Sequence, residues 1–179
     1  MLADEIGYDR LTLAAVAEHF EVRQPSLYKH VDGLDGLRRD LAVLGLREMH
    51  AALAGATVGK ARGDALRSLA SAFREWARAH PGRYSATVRA PDTGPADAEQ
   101  RGASDDILGI VLAVLAGYGL EGEDAVDAAR CLRSALHGFV SLEAAGGFGI
   151  PRSLDTSYQV LTDILDDAFE AGSWRTRRH

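Results

Sequence analysis

Apolar residues recur along this chain with the period of an α-helix, and the strict alternation typical of a β-strand is almost absent. Early in the chain, Thr12 is a favourable N-cap residue. Apolar side chains follow it at helical spacing, at positions 13, 16, 17 and 20. This pattern predicts a helix from Thr12 to Phe20, preceded by the end of another helix over 3–6 that stops at Gly7.

A second, shorter helix is predicted from Gln24 to Val31. Pro25 lies in its first turn, where a missing N–H costs little. Leu27 and Val31 are one helical turn apart and form its expected buried pair. After Asp32 and Gly33, a longer helix is predicted from Leu34 to Leu53, with leucines along its inner side.

The remaining periodicity predicts further helices over 65–79, 84–88, 107–118, 124–145 and 155–171. The segment 107–118 is apolar on nearly all sides, so we expect it to be buried in the middle of a bundle. The stretch AGATVGKARGD contains several glycines and polar residues, and we place a domain boundary there. The pattern predicts an all-α fold with one domain over 1–54 and a second over 55–179.

Composition is that of an ordinary globular protein, with 46% hydrophobic and 26% charged residues among 179. A single cysteine, Cys131, excludes a disulfide within one chain and is expected to be a buried small hydrophobe. No signal peptide is visible. The longest apolar run is far shorter than the roughly 20 residues that span a membrane. We therefore expect a cytoplasmic protein without a membrane partner.

Charge argues against a broadly basic surface. The net charge is −6, and the first 50 residues carry six Arg and Lys against nine Asp and Glu. A small DNA-reading surface on an acidic body remains compatible with this balance.

Two short helices joined by about three residues are typical of a helix-turn-helix, whose second helix enters the major groove of DNA. Leu13, Val16, Val22 and Leu27 are expected to form its small core. Its outer surface then carries side chains suited to base edges or phosphates. These are Gln24, Pro25, Ser26, Tyr28, Lys29 and His30. For a helix pair in general, an ordinary amphipathic corner is the commoner explanation.

The stretch LTLAAVAEHFEVRQPSLYKHV resembles the TetR/AcrR family of bacterial transcriptional regulators, and the resemblance extends over about residues 3–50. Leu27-Tyr28-Lys29-His30 matches the family's Leu-Tyr-x-His core. The resemblance implies a three-helix helix-turn-helix domain joined to a C-terminal helical bundle that binds ligand and dimerises. It also implies that Thr12 and Arg23 join the outer surface in contacting DNA.

Several positions depart from the family pattern. Glu21 replaces the usual turn glycine, so either this residue adopts a strained φ or the turn shifts. Arg23 replaces a common capping serine, which weakens the cap but adds a possible phosphate contact. Leu34 replaces a lysine that grips phosphate. The family's first helix normally starts well before the position of Met1, so we expect that helix to be truncated in this chain.

The stretch ALHGFVSLEAAGGFG resembles the Trp-His-Gly type of C-terminal domain, with Leu136 in place of tryptophan and His137-Gly138 retained. Gly138 inside a helix costs about 1 kcal/mol relative to alanine, so a close approach is expected there. The candidate ligand contacts are His137 and a set of aromatic residues that could line an apolar pocket. They are Phe73, Trp76, Tyr84, His137 and Phe139. His137 is equally compatible with a hydrogen-bonded core histidine, and core packing is the commoner role of aromatic residues at such spacing.

The last two helices offer small residues on one (128, 129, 135 and 138) and longer side chains on the other (158, 161, 165, 168 and 169). Two such helices from each copy would build a four-helix dimer interface, which matches a palindromic operator. An acidic face at 163, 166, 167 and 170 is expected to be solvated, in preference to a metal cluster.

Together with these patterns, the resemblance implies a homodimeric repressor that binds double-stranded DNA and is released by a small-molecule effector. No nucleophile beside a base, phosphate-binding loop or metal-ligand spacing is visible, so we expect neither enzymatic activity nor a cofactor. Two alternatives stay open at this point. One is a small helical enzyme using His137 with Glu143 or an aspartate of the last helix. The other is a dimeric interaction module whose DNA-binding head is degenerate.

Overall fold

The computed structural model describes residues 1–172, and within this range the regular structure is entirely helical. The all-α prediction is confirmed. Two short 3₁₀ turns, Tyr8–Arg10 and Pro95–Asp97, accompany the α-helices. The α-helices of the described range are α1 Leu2–Ile6, α2 Leu13–His19, α3 Gln24–Leu27, α4 Gly33–Thr57, α5 Arg62–Ala79, α6 Pro81–Val88, α7 Ala98–Ala116, α8 Gly122–Ala144 and α9 Leu154–Ala171.

The chain forms two compact units that are each discontinuous in sequence. Residues 1–49 and 79–105 make the first unit, and residues 50–78 together with those from 106 onward make the second. Helix α4 runs without interruption past residue 54, so the chain loosens only after Thr57. The functional division into domains 1–54 and 55–179 stays a prediction, and its last seven residues lie outside the described range.

The first unit has a core of small and aliphatic side chains drawn from distant parts of the sequence. Its buried members come from α1, the residue after the first 3₁₀ turn, α4 and α6. They are Ala3, Leu11, Leu41, Ala42 and Ala86, with Leu2, Tyr8, Val16 and Leu37 packed against them. Helix α6 thus shares a core with the helices of the predicted DNA-binding domain.

Helices α1 and α6 meet at a close polar junction. The Asp4 carboxylate accepts hydrogen bonds from the backbone N–H groups of Gly82 and Arg83, each at 3.0 Å, and from Nε of Arg83 at 2.9 Å. An acidic group here satisfies N–H groups that the first turn of a helix leaves without intrahelical partners. Gly82 is pressed against α1, because a Cβ at this position would lie 2.0 Å from the Ala3 carbonyl oxygen.

The second unit is centred on leucines. Its fully buried leucines are Leu53, Leu66, Leu69, Leu115, Leu120, Leu132 and Leu136. Helix α7 differs from the expectation, because Gly109, Ala113 and Ala116 are exposed and Leu108 is 42% exposed. The prediction that 107–118 is buried on all sides is therefore wrong, and only one face of it is covered. Cys131 is also exposed, contrary to its predicted burial.

The acidic side chains of α9 are largely engaged by basic residues of the same unit. Arg67 contacts Asp163 at 2.9 Å and Asp166 at 2.7 Å, and Arg62 lies 3.4 Å from Glu170. The Tyr118 hydroxyl donates to Asp166 at 2.6 Å. Burial is the main cause that raises the pKa of Tyr118 above its ordinary value, and this hydrogen bond raises the pKa further. The predicted solvated face is thus an ion-paired face.

Within residues 1–172 no helix combines the length and hydropathy needed to cross a bilayer. The same range contains no group of three or more His, Cys, Asp or Glu side chains arranged to hold a metal ion.

Candidate nucleic-acid interface

Helix α2 begins at the predicted N-cap. The Thr12 side-chain oxygen accepts a hydrogen bond from the Ala15 N–H at 3.1 Å, and Thr12 itself is exposed. A hydroxyl has one donor hydrogen besides its lone pairs, so capping leaves the Thr12 O–H available. Thr12 can therefore cap its helix and donate to a phosphate at the same time.

The turn after α2 is a Schellman motif built without glycine. The Val22 N–H bonds to the Ala17 carbonyl at 2.9 Å, and the Glu21 N–H bonds to the Glu18 carbonyl at 3.1 Å. Glu21 has a φ of +54°, in the left-handed region that disfavours residues with a Cβ. Of the two alternatives for Glu21, a strained φ or a shifted turn, the structure adopts the strained φ.

Replacing Glu21 by glycine is expected to stabilise the protein by about 1 kcal/mol, because glycine adopts a positive φ without the steric cost. The same substitution at Glu18, inside α2, should destabilise by about 1 kcal/mol. Urea denaturation of both variants measures the difference. Equal effects of Glu21→Gly and Glu18→Gly would contradict a strained turn at Glu21.

Helix α3 is shorter than predicted. It covers Gln24–Leu27, and the chain then continues in turns to Val31, held by bonds from the His30 and Val31 N–H groups to the Leu27 carbonyl at 2.8 and 3.0 Å. The predicted end of this helix at Val31 is therefore wrong, although the turns keep the chain compact. The residues expected to contact DNA are divided between α3 and the turns after it.

Arg23 occupies the N-cap of α3 and makes no side-chain capping bond, as its replacement of a serine suggested. The Ser26 hydroxyl instead donates to the Arg23 carbonyl at 2.6 Å. Because this bond uses the single hydrogen of the hydroxyl, Ser26 can only accept a hydrogen bond from a base while the bond persists.

The predicted DNA-contacting side chains lie on the surface of the first unit. Tyr28 is 59% exposed, Ser26 is half-buried, and the others are exposed. The exposed ones are Thr12, Arg23, Gln24, Pro25, Lys29 and His30. We refer to these eight residues as the reading face. Two apolar residues beside it, Phe20 and Val22, are 64% and 44% exposed. The prediction that both side chains point inward is wrong. The spacing of apolar residues along the sequence does not indicate that these two are exposed.

The basic residues of this region differ in how far nearby acids neutralise them. Arg39 lies 3.6 Å from Asp32 and 3.8 Å from Asp97, and Arg47 binds Glu99 at 2.7 Å. Within the described residues, neither Arg23 nor Lys29 forms an ion pair. Arg23 and Lys29 of the reading face therefore keep positive charge available for phosphates, despite the net negative charge of the segment.

The predicted ligand contacts do not all lie in one unit. Tyr84 belongs to the first unit, whereas Phe73, Trp76, His137 and Phe139 belong to the second. Trp76 and Phe139 are 7% and 9% exposed, and the other three are partly buried. A cavity of about 350 Å³ is lined by α1, the first 3₁₀ turn and α6, including Tyr8, Arg10 and Ser85, and contains none of the predicted ligand residues. Their role stays a prediction.

Comparisons with known proteins relate the chain to one family of transcriptional regulators. A family model described as "Tetracyclin repressor-like, C-terminal domain" matches residues 66–165. The uncharacterized HTH-type transcriptional regulator Rv0681 of Mycobacterium tuberculosis is 42% identical over 162 residues, which cover 90% of this chain and 72% of that protein. YobS of Bacillus subtilis, described in the same words, is 36% identical over 148 residues, covering 82% and 75%.

A solved structure shares the fold. The structure of TetR-Q116A from Acinetobacter baumannii AYE in complex with minocycline superposes with a TM-score of 0.66 at 25% sequence identity. The match covers 99% of this chain and 93% of that one.

Proposed function

Because the chain belongs to the TetR family of helix-turn-helix transcriptional regulators, we propose that its reading face binds the major groove of a palindromic operator. As a member of this family it is a DNA-binding regulator and not an enzyme. The observation that carries the proposal is the exposure of Gln24, Tyr28 and Lys29 on α3 and the turn after it.

Each side chain of the reading face suits one kind of contact. Gln24 can make a bidentate bond to an adenine edge, and Pro25 can pack on a thymine methyl. Ser26 accepts from a base donor, since its hydrogen is already used. The remaining members donate to phosphates and so position α3 without reading sequence. They are Thr12, Arg23, Tyr28, Lys29 and His30.

A homodimer through α8 and α9 would present two reading faces to the two half-sites. Four of the residues predicted for its seam are instead buried inside one copy: Ala128, Ala129, Tyr158 and Phe169 are at most 8% exposed. Exposed apolar side chains on the same helices take their place. They are Leu142 on α8 and Val160 and Ile164 on α9, which are 48–59% exposed.

Gly138 is a second observation that favours a dimer surface on α8. Its expected close approach is absent within one copy, because a Cβ at this position would meet nothing within 4 Å. A glycine inside α8 costs helix stability without an intrachain reason, which fits a close approach by a helix of a second copy.

We further propose that the regulator is a repressor and that a small molecule bound by the second unit releases it from DNA. The related tetracycline-repressor structure binds minocycline, which supports a small-molecule effector without identifying the one used here. Helix α4 is continuous from the first unit into the second. A ligand that favours one arrangement of the second unit can therefore shift the population of DNA-binding dimers.

Footprinting of the intergenic DNA beside the gene tests the proposal. We expect protection of an inverted repeat whose half-sites lie about one helical turn, roughly 34 Å, apart. Loss of the footprint on adding small molecules, with increased transcription from the promoter, would support a ligand-released repressor. If the chain is instead an interaction module with a degenerate DNA-binding head, we expect no protection of DNA even at protein concentrations at which the chain is fully dimeric.

A further inference from the structure

An almost fully buried arginine connects three helices of the second unit. Arg74 of α5 is 8% exposed. Its guanidinium binds both carboxylate oxygens of Glu143, near the end of α8, at 2.8 and 2.7 Å. Its remaining Nη1 donates to Asp155, in the first turn of α9, at 2.8 Å. One side chain of α5 therefore contacts the last turn of α8 and the first turn of α9.

Two aromatic rings complete the surroundings of Arg74. The guanidinium carbon lies 4.9 Å from the Tyr158 ring centroid and 5.6 Å from that of Phe139. The Tyr158 hydroxyl donates to the Ala70 carbonyl of α5 at 2.7 Å, one turn before Arg74. We call Arg74, Glu143, Asp155, Phe139 and Tyr158 the Arg74 cluster. It fixes α8 and α9 to α5 through charge, ring contacts and a buried hydrogen bond.

The same two helices present exposed apolar residues beside the cluster. Leu142 directly precedes Glu143 and is 50% exposed, and Val160 lies two residues after Tyr158 and is 48% exposed. One face of each helix is therefore held by α5, while another carries exposed apolar side chains. A change in the cluster would alter the spacing of Leu142 and Val160 without touching either side chain.

Buried ion pairs add little net stability compared with a well-packed apolar replacement, because desolvation of both charges offsets their attraction. In some proteins their benefit is a uniquely specified arrangement of the packed elements. The bidentate geometry of Arg74 and Glu143 restricts the relative position of α5 and α8 more than apolar contacts would.

We propose that Arg74 is a positioning residue for the homodimer, and that the Arg74 cluster sets the arrangement of α8 and α9 that a second copy recognises. This inference rests on the proposed homodimer through these two helices. Arg74 itself is not proposed to contact the partner or DNA. It acts through the position of the α8 end and the α9 start.

The test separates positioning from stability with a matched double variant. Arg74→Met/Glu143→Leu replaces the buried charges by apolar side chains of similar size, so it should keep a Tm within about 3 °C of the unchanged protein. The dimer dissociation constant, measured by sedimentation equilibrium, should nevertheless rise between about 5- and 150-fold, the usual range for coupled sites. Arg47→Met/Glu99→Leu removes an exposed pair in the first unit and should leave dimerisation unchanged.

Asp155→Asn provides a second measurement if the double variant folds poorly. The Asp155 side chain is 77% exposed, so the variant should fold while weakening the link to α9, and the dimer should again dissociate more readily. An unchanged dissociation constant in a folded double variant, or in Asp155→Asn, would overturn the positioning role. A monomeric unsubstituted protein would instead overturn the proposed homodimer.

Discussion

Replacing Gly82 by alanine is expected to destabilise the protein by about 3 kcal/mol or more. The added Cβ would lie 2.0 Å from the carbonyl oxygen and 2.2 Å from the carbonyl carbon of Ala3, both backbone atoms that no rotamer change can move. Helix α1 would have to move away from α6, and the Asp4 carboxylate would then lose its bonds to the first turn of α6. Overpacking and the loss of a helix cap add in the same direction.

Gly102 provides the matched control for this prediction. It lies inside α7 in the same unit, and a Cβ there would meet nothing within 4 Å. Gly102→Ala should therefore stabilise the protein by up to about 1 kcal/mol, because alanine favours a helix over glycine. Urea denaturation followed by circular dichroism measures both variants. A Gly82→Ala protein as stable as the unsubstituted one would show that α1 does not pack against α6 as described.

Introducing charge at the exposed apolar residues of α9 is expected to abolish both dimerisation and tight operator binding. Val160→Glu/Ile164→Glu would place two carboxylates from each copy in an apolar seam, where unpaired charges are costly. A monomer can occupy only one half-site at a time. Since linking two binding sites increases affinity about 10²- to 10⁴-fold, operator affinity should fall by at least about 100-fold.

The control for the dimer prediction is Val58→Glu. Val58 is 78% exposed and lies between α4 and α5, away from the proposed seam in sequence. It should leave the sedimentation behaviour and operator affinity unchanged. If the α9 variant still sedimented as a dimer at micromolar concentration, the seam would have to lie elsewhere on the molecule.

Much of the fold could be predicted because the relevant information is local. Thr12 caps α2 through a contact three residues away, and the missing cap at Arg23 follows from its side chain alone. The strain at Glu21 was likewise one of two outcomes open to a non-glycine residue in that turn. The exposure of Gln24 and Pro25 in α3 follows from helical periodicity over a few residues, whereas Phe20 and Val22 are exposed against that periodicity.

Other features depend on contacts that a single stretch of sequence does not contain. Gly82 is pressed against Ala3, almost eighty residues earlier, and nothing near Gly82 indicates that partner. The composition of α7 does not reveal which of its apolar faces stays exposed. Ala128 and Tyr158 were assigned to a seam on residue type, yet both are buried within one copy. Hydrophobicity favours burial of a side chain, but it does not identify which surface covers that side chain.

The most direct test of the reading face is the salt dependence of operator affinity for Lys29→Gln. Lys29 is exposed and forms no ion pair within the described residues, whereas Arg47, the site of the control Arg47→Gln, is paired with Glu99. A lost phosphate contact reduces the slope of log affinity against log salt concentration by about 0.9 per copy. We expect this reduction for Lys29→Gln and an unchanged slope for Arg47→Gln. An unchanged slope for Lys29→Gln, with full operator affinity, would contradict a DNA-binding role for this face.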